Sequence, residues 1–373
     1  MDKINNILGS DLTTDSAWAG YCNRKNHVAL EGQKIKQKSG PRVGIPRALF
    51  YYHFFPQWKR FFENLGWEVQ VSPPTNKAIA NEGIAEAVSE ACFPVKVHYG
   101  HSLYLSRQGV DLIFAPRLIS IERRSYICPK FMGIPDMLRA QIKSLPPLFD
   151  ISIDLSQGSR HLNRQLRQWA LETGLSPHQV EQAWQQAERE TDYLNSICRA
   201  GFRLGEAIRI WEGHPMAKKG PAALNIGVLG HCYTLNDSFV NLNLFGRLQE
   251  MGVNAVTVEM ADPDLVHKAA DQLPKRVFWT VGRDLVGGAL VYDRDPAIDG
   301  IIYMTCFGCG PDSMVAKVIE RRMKKPFMLL TVDEHSGEAG LITRLEAFCD
   351  MLRRRRDRVE DNISPHGKFS YSH

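Results

Sequence analysis

Four cysteines stand beside prolines or glycines, where a loop meets a helix start. Cys92 lies in SEACFPVKVHYGH, Cys128 in RRSYICPKFMGIPD, and Cys306 and Cys309 in MTCFGCGPDS. Thiols in such places are reactive groups or metal ligands more readily than core filler, whereas a lone cysteine is usually a small buried apolar residue. The Cys-x-x-Cys pair admits three chemistries: a redox disulfide, half of a zinc site, or part of an iron–sulfur site. A disulfide oxidoreductase places the pair at a helix start in a thioredoxin-like setting, and Gly308 with Gly310-Pro311 disfavours that here. A structural zinc site draws four ligands, commonly from two close pairs, and only one close pair is present. Iron–sulfur clusters accept thiolates from scattered loops, and three thiolates would leave one iron open.

The remaining cysteines read differently. Cys198 and Cys349 fall on apolar helical seams as core residues, and Cys22 lies in a weakly patterned arm. Cys232, in GHCYTLND, occupies a strand-to-helix turn and is held equally as a site-lining or a packing residue. Pro94 marks a helix start after Cys92, so the helix dipole is expected to lower the pKa of that thiol. Asp333, Glu334 and His335 follow an apolar strand. Capping is their plainer role, and proton transfer by Glu334 or His335 the sharper one. Arg47 sits where an anion could meet a helix N-terminus. Arg117 and Lys130 flank the Cys128 loop, and His98 and His101 are read as surface or packing histidines rather than a metal pair.

These residues need elements to carry them. From Pro41 the chain alternates strand and helix. Arg42–Ile45 reads as a strand, 46–65 as a helix closed by Gly66, 68–71 as the next strand, and DLIFA at 111–115 as a buried strand. The unit recurs from ALNIGVLGHCYTLND onward, with a strand over 299–304 and another over 327–332. The expected fold is α/β: two Rossmann-like doubly wound domains with a helical insertion between them. The expected boundaries are an arm at 1–40, a first domain at 41–150, a helical segment at 151–220, a second domain at 221–352 and a basic tail at 353–373. In the helical segment, Ser176-Pro177-His178-Gln179 reads as a capping box opening a helix that runs towards Trp211. Gly213, Pro215, Gly220 and Pro221 read as a linker. Ligands of such sheets bind beyond the carboxyl ends of the strands. Duplication puts Cys128 and the Cys306/Cys309 loop at corresponding ends, facing a common cleft.

Composition narrows the classes. A hydrophobic content of 44% and a charged content of 23% over 373 residues are those of a globular protein. The net charge of +5 is concentrated near Arg353–Arg356 and Arg358. That run follows an apolar helical pattern and has no interleaved aromatics, so it reads as a solvated helix end and not a nucleic-acid surface. The first residues lack a signal-peptide pattern, and no stretch is apolar enough for a membrane helix. The expectation is a cytoplasmic protein with reduced thiols, without nucleic-acid or membrane partners.

The segments VGIPRALFYYHFFPQWKRFFENLGWEV, SEACFPVKVHYGH, DLIFAPR, CPKFMGIPD, FGCGPDS and DEHSGEAGLITRLEAF resemble the 2-hydroxyacyl-CoA dehydratase subunit family. They are most similar to the dehydratase-like region associated with, or fused to, the ATP-dependent activases of that system. The resemblance spans roughly 41–355. It implies a 4Fe–4S cluster held by Cys92, Cys128 and Cys309. Cys306 is left as a fourth ligand or a neighbouring thiol. It further implies low-potential electrons delivered by an ATP-dependent activase in trans, for dehydration or reduction of an acyl-CoA or similar substrate. A second dehydratase-like subunit or a homodimer would complete the assembly. A non-catalytic electron carrier and, more remotely, a structural zinc protein are the other readings.

Overall fold

A computed structural model describes residues 40–156, 158–217, 220 and 222–361. The expected arm, with Cys22 and the Lys34–Lys38 segment, lies outside the described residues apart from Gly40.

The chain is a mixed α/β protein built on parallel sheets. The first sheet holds β1 (Arg42–Ile45), β2 (Glu68–Val71), β3 (Leu112–Phe114) and β5 (Leu148–Phe149), in the order β2-β1-β3-β5. The second holds β7 (Leu224–Leu229), β8 (Val253–Val256), β9 (Gly300–Cys306) and β10 (Phe327–Val332), in the order β8-β7-β9-β10. The orders are the same: the opening strand of each unit lies between its second and third. A small parallel pair, β4 (Arg117–Ser120) with β6 (Ser152–Asp154), extends the first unit.

Parallel strands must be covered on both faces, and the sequence supplies the cover. Every residue of GIIYMTC in β9 is buried. Helix α1 (Tyr51–Asn64) buries Tyr51, Phe55, Phe61 and Phe62 against the first sheet and the central helices. Its ring contacts fix that packing. Phe62 meets Phe114 of β3 edge-on at 5.2 Å, and Phe61 meets Trp184 at 5.2 Å.

Helix α1 starts later than expected. Residues 46–50 form a turn in which Leu49 adopts φ 56°, outside the helical region, so the helix opens only at Tyr51. Two further helices complete the cover of the first unit near the site: α2 (Lys77–Glu86) and α3 (Phe93–Arg107). Helix α4 (Pro129–Gln141) follows β4.

The connecting segment consists of α5 (Arg160–Glu172), α6 (Pro177–Arg199) and α7 (Leu204–Trp211). The helix expected to run from Ser176 towards Trp211, with Gly201 and Gly205 as packing points or a kink, is broken after Arg199, where Gly201 takes φ 101°, a conformation that suits glycine. Ser176 is the N-cap of α6, but its side chain makes no capping hydrogen bond, so the capping box is absent. Burial ties the segment down through Glu190, which accepts from Trp211 Nε1 at 2.7 Å and pairs with Arg60 at 3.3 Å.

In the second unit, α8 (Cys232–Leu235) and α9 (Leu244–Glu250) follow β7. After β8 come α10 (Pro263–Ala270) and α11 (Thr280–Arg294). Helix α12 (Gly310–Glu320) follows β9, and α13 (Glu338–Asp361) closes the described chain. The basic run at 353–358 therefore belongs to a helix. Arg353 Nη2 donates to Met251 O at 2.6 Å, which anchors that helix on the second unit.

The units are joined by main-chain bonds. Tyr126 N donates to Phe278 O at 2.9 Å, and Thr280 N to Tyr126 O at 2.9 Å. Among the described residues no helix is long and apolar enough to cross a membrane.

Candidate metal centre

Cys92, Cys128 and Cys309 share one local design. Each is the N-cap residue of a helix, namely α3, α4 and α12 in turn, and each helix carries proline in its first two positions. Proline suits those positions because the first helical N–H groups have no partner within the helix. The carbonyls of the three cysteines open their helices: Val95 N donates to Cys92 O at 2.9 Å, Phe131 N to Cys128 O at 2.9 Å and Ser313 N to Cys309 O at 3.2 Å. All three thiols are free and half-buried. Three helix N-termini, each with the positive end of its dipole, are therefore presented beside three thiols.

The three lie near one another. The Cys92 thiol is pushed up chiefly by burial and is felt by Lys130, Cys309 and Cys128. The Cys128 thiol is raised chiefly by burial and also feels Cys309. The ring of Tyr233 stands near all of them. Its phenol is driven well above its ordinary range by burial first, then by Cys309, Cys92, Asp312 and Cys128. The expectation of a lowered Cys92 pKa is thus corrected: burial outweighs the opposing pull of Lys130 and of the Val95 N–H. Desolvation and like-charge neighbours outweigh the helix dipole there.

Cys306 is separate from this set in its setting. It is the last residue of β9, in register with Val332 of β10, and is 5% exposed. Its sulfur lies 3.5 Å from the hydroxyl of Thr234. The strand runs two residues further than the sequence suggested, so Cys306 ends a strand and Cys309 begins a helix. Burial raises the Cys306 thiol well above its ordinary range, and Cys92, Cys309 and Asp312 add to the rise, so this sulfur too stands near two of the three thiols. Cys232 is buried at the start of α8, and Cys198 and Cys349 are core residues.

Two neighbours of Cys309 were not singled out in the sequence. His231 Nε2 lies 3.7 Å from Cys309 Sγ and 3.0 Å from Asp312 Oδ1. The ligand atoms of His231, Cys309 and Asp312 all fall within 4.8 Å of one another, a spacing that could hold a metal ion. Asp312 also accepts from Tyr303 OH at 2.9 Å and Thr305 Oγ1 at 2.8 Å. Burial would raise the Asp312 carboxyl, but His231, Thr305 and Tyr303 hold it below its ordinary range. The only sequence signals were position: His231 precedes the noted Cys232, and Asp312 lies inside FGCGPDS.

The other candidates take structural places. Glu334 pairs with Lys96 of α3. Asp333 Oδ1 accepts from His335 N at 3.0 Å and Ser336 Oγ at 2.8 Å, so it organises the turn, and His335 is exposed. Arg117 bonds Asp136, and its Nη2 reaches Asp150 at 2.8 Å. Lys130 Nζ donates to Glu90 O at 3.1 Å. Arg47 lies in the turn after β1, its N–H on Ser72 Oγ at 2.8 Å and its guanidinium 5.4 Å from the Tyr51 ring. His98 and His101 are both buried.

A family described as "CoA enzyme activase uncharacterised domain (DUF2229)" matches residues 42–261 of the 373. The chain belongs to that family. The matched region contains Cys92, Cys128 and His231, and ends before the strand and helix that carry Cys306, Cys309 and Asp312. No curated protein matches the chain.

Proposed function

We propose that this chain is a 4Fe–4S protein of the 2-hydroxyacyl-CoA dehydratase type, with Cys92, Cys128 and Cys309 as ligands. The observation that carries the reading is the shared placement of those three thiols: half-buried, mutually close, and each at a helix N-terminus. The donor set suits such a group, since thiolates from separate loops are what iron–sulfur clusters take. The helix dipoles favour the negative charge that bound thiolates would carry.

In this reading the two parallel sheets of like order are Rossmann-like domains, at about 41–150 and 221–352, and the ligands lie between them. When bound, the cluster would supply one-electron chemistry at low potential. The chain's own part is to hold, orient and shield it. Tyr233, whose ring lies 6.1 Å from Phe50 and 5.6 Å from Phe131, would belong to the apolar surround of the cluster. Electrons would come from an ATP-dependent activase in trans, in agreement with the family description. The acceptor would be an acyl-CoA or a similar substrate, and a second subunit or a second copy would complete the assembly in the cytoplasm.

A non-catalytic electron carrier would use the same three ligands and add a fourth from the protein. Cys306 is the thiol placed for that fourth position, near Cys92 and Cys309, but its sulfur already has a partner in the Thr234 hydroxyl at the end of β9. The test is anaerobic purification with assays for iron and acid-labile sulfide. About four of each per chain are expected in the wild type, falling towards zero in Cys92→Ser, Cys128→Ser and Cys309→Ser. Zinc without iron or sulfide would overturn the reading.

A further inference from the structure

His231 is held more firmly than a packing histidine needs to be. Its ring is stacked on Tyr233 with centroids 4.9 Å apart and planes 10° apart. Its Nε2 meets Asp312 Oδ1 at 3.0 Å. Asp312 is itself fixed by Tyr303 and Thr305, so the ring cannot turn without breaking a buried network. A carboxylate only accepts, so the proton in that contact belongs to His231 Nε2. Cys309 Sγ lies 3.7 Å from the same Nε2, a contact in which a protonated thiol could itself donate; once Cys309 is a deprotonated ligand, only Nε2–H can be the donor. On the other side of the ring, Nδ1 is buried with no hydrogen-bond partner among the described residues. A buried unsatisfied nitrogen costs stability, on the order of 1–3 kcal/mol. The fold carries that cost at a position where a phenylalanine would stack equally well on Tyr233. The ring is therefore kept for what Nε2 does.

We infer that His231 is a positioning residue for the cluster: its Nε2–H, aimed by Asp312, donates to the sulfur of Cys309 and raises the electron affinity of the group that Cys309 holds. This rests on the iron–sulfur reading above. Hydrogen bonds to ligating sulfur are among the protein's means of setting a cluster's potential. They stabilise the reduced form, which carries the extra negative charge. Cys309 is the one ligand of the three with such a side-chain donor described beside it. The three-centre contact, shared between Asp312 and Cys309, joins the ligand to β9 through Tyr303 and Thr305.

The test is an anaerobic redox titration of the full chain after reconstitution with iron and sulfide, monitored by electron paramagnetic resonance. His231→Phe keeps the stack and removes the donor; His231→Gln keeps a donor near the Nε2 position. With iron and sulfide contents equal to the wild type, His231→Phe should shift the midpoint potential to more negative values and alter the spectrum of the reduced cluster. His231→Gln should recover part of the shift. An unchanged potential at full occupancy overturns the inference and leaves the cluster reading standing. Loss of the cluster in both variants also overturns it, because the position would then be merely structural. If His231→Phe does not fold, His231→Leu supplies the donor-free case. A wild type that takes up no iron and sulfide overturns both readings.

Discussion

Lys96 of α3 and Glu334, in the turn after β10, form an ion pair that crosses from the first α/β unit to the second. Lys96 lies one turn into the helix that Cys92 caps, and both partners are largely buried, with side chains 7% and 15% exposed. Burial would raise the Glu334 carboxyl, yet Lys96 holds it below its ordinary range. Removing one partner of a buried pair leaves the other charge unpaired. Lys96→Met should cost about 3 kcal/mol in denaturant unfolding, at the low end for such a break because Glu334 keeps some solvent. The double variant Lys96→Met, Glu334→Leu should recover most of that loss. A double-mutant cycle with no coupling would show that the pair does not hold the units together.

Cys306 and Cys309 should behave differently although they look like one motif. Cys306→Ala should retain wild-type iron and sulfide content, because its sulfur faces Thr234 from the end of a strand. Deleting the buried sulfur should cost roughly 1 kcal/mol of stability by cavity formation. Loss of half or more of the iron in that variant would make Cys306 a ligand and favour the electron-carrier reading.

What the sequence revealed, and what it hid, follows from range. Apolar runs such as DLIFA and IIYMT marked buried parallel strands, and the helix read at 46–65 needed only local pattern for its existence and its Gly66 end. The cysteines declared themselves by their adjacent prolines, since a helix start is a local event. His231 and Asp312 did not. Their contact joins the turn after β7 to the helix after β9, and it exists only because those strands are neighbours in the sheet. The Lys96–Glu334 pair is hidden for the same reason and spans both units. Cys306 was misplaced by a local error of two residues at a strand end, where the following Gly308 and Gly310-Pro311 masked the continuing ladder. The late start of α1 was equally concealed, because Leu49 at positive φ has no sequence signature.

Mild acid should weaken the fold through buried neutral histidines. Burial lowers His98 to about 4 and His101 to about 3, so both are neutral when folded. Thr75 gives its single proton to Asp237, so it must accept from His101 Nε2, which leaves the buried Nδ1 of His101 without a partner. Both nitrogens of His98 are likewise without a hydrogen-bond partner among the described residues. In the unfolded chain these rings titrate near 6.5. The stability is present above that value and is lost as pH falls towards the folded values. Through His98 and His101 the unfolded state below about pH 6 binds up to two more protons than the folded state, a slope of about 2.7 kcal/mol per pH unit at most from this pair, and His53, lowered by burial to about 4, acts in the same direction. Unfolding titrations at pH 7, 6 and 5 should show this fall. His98→Gln with His101→Gln should flatten it, and an equally steep fall in that variant would assign it to other groups.

Helices α2 and α3 approach closely at two glycines. A Cβ on Gly100 would lie 1.9 Å from Ile79 O, and one on Gly83 would lie 2.0 Å from Lys96 O. These are backbone obstacles that no rotamer change relieves. Gly100→Ala gains up to about 1 kcal/mol of helix propensity. Separating two packed helices costs more, typically 1–3 kcal/mol and here at the upper end, so the net effect should be destabilising by about 2 kcal/mol. Because α3 carries Cys92 as its cap and Lys96 one turn later, the displacement should also reduce iron content or the rate of cluster reconstitution. Gly340 of α13 supplies the contrast: nothing lies within 4 Å of its Cβ position. Gly340→Ala should stabilise by up to about 1 kcal/mol and leave iron binding as it was. Equal unfolding midpoints for the two variants would mean that the α2–α3 contact yields easily and does not position Cys92.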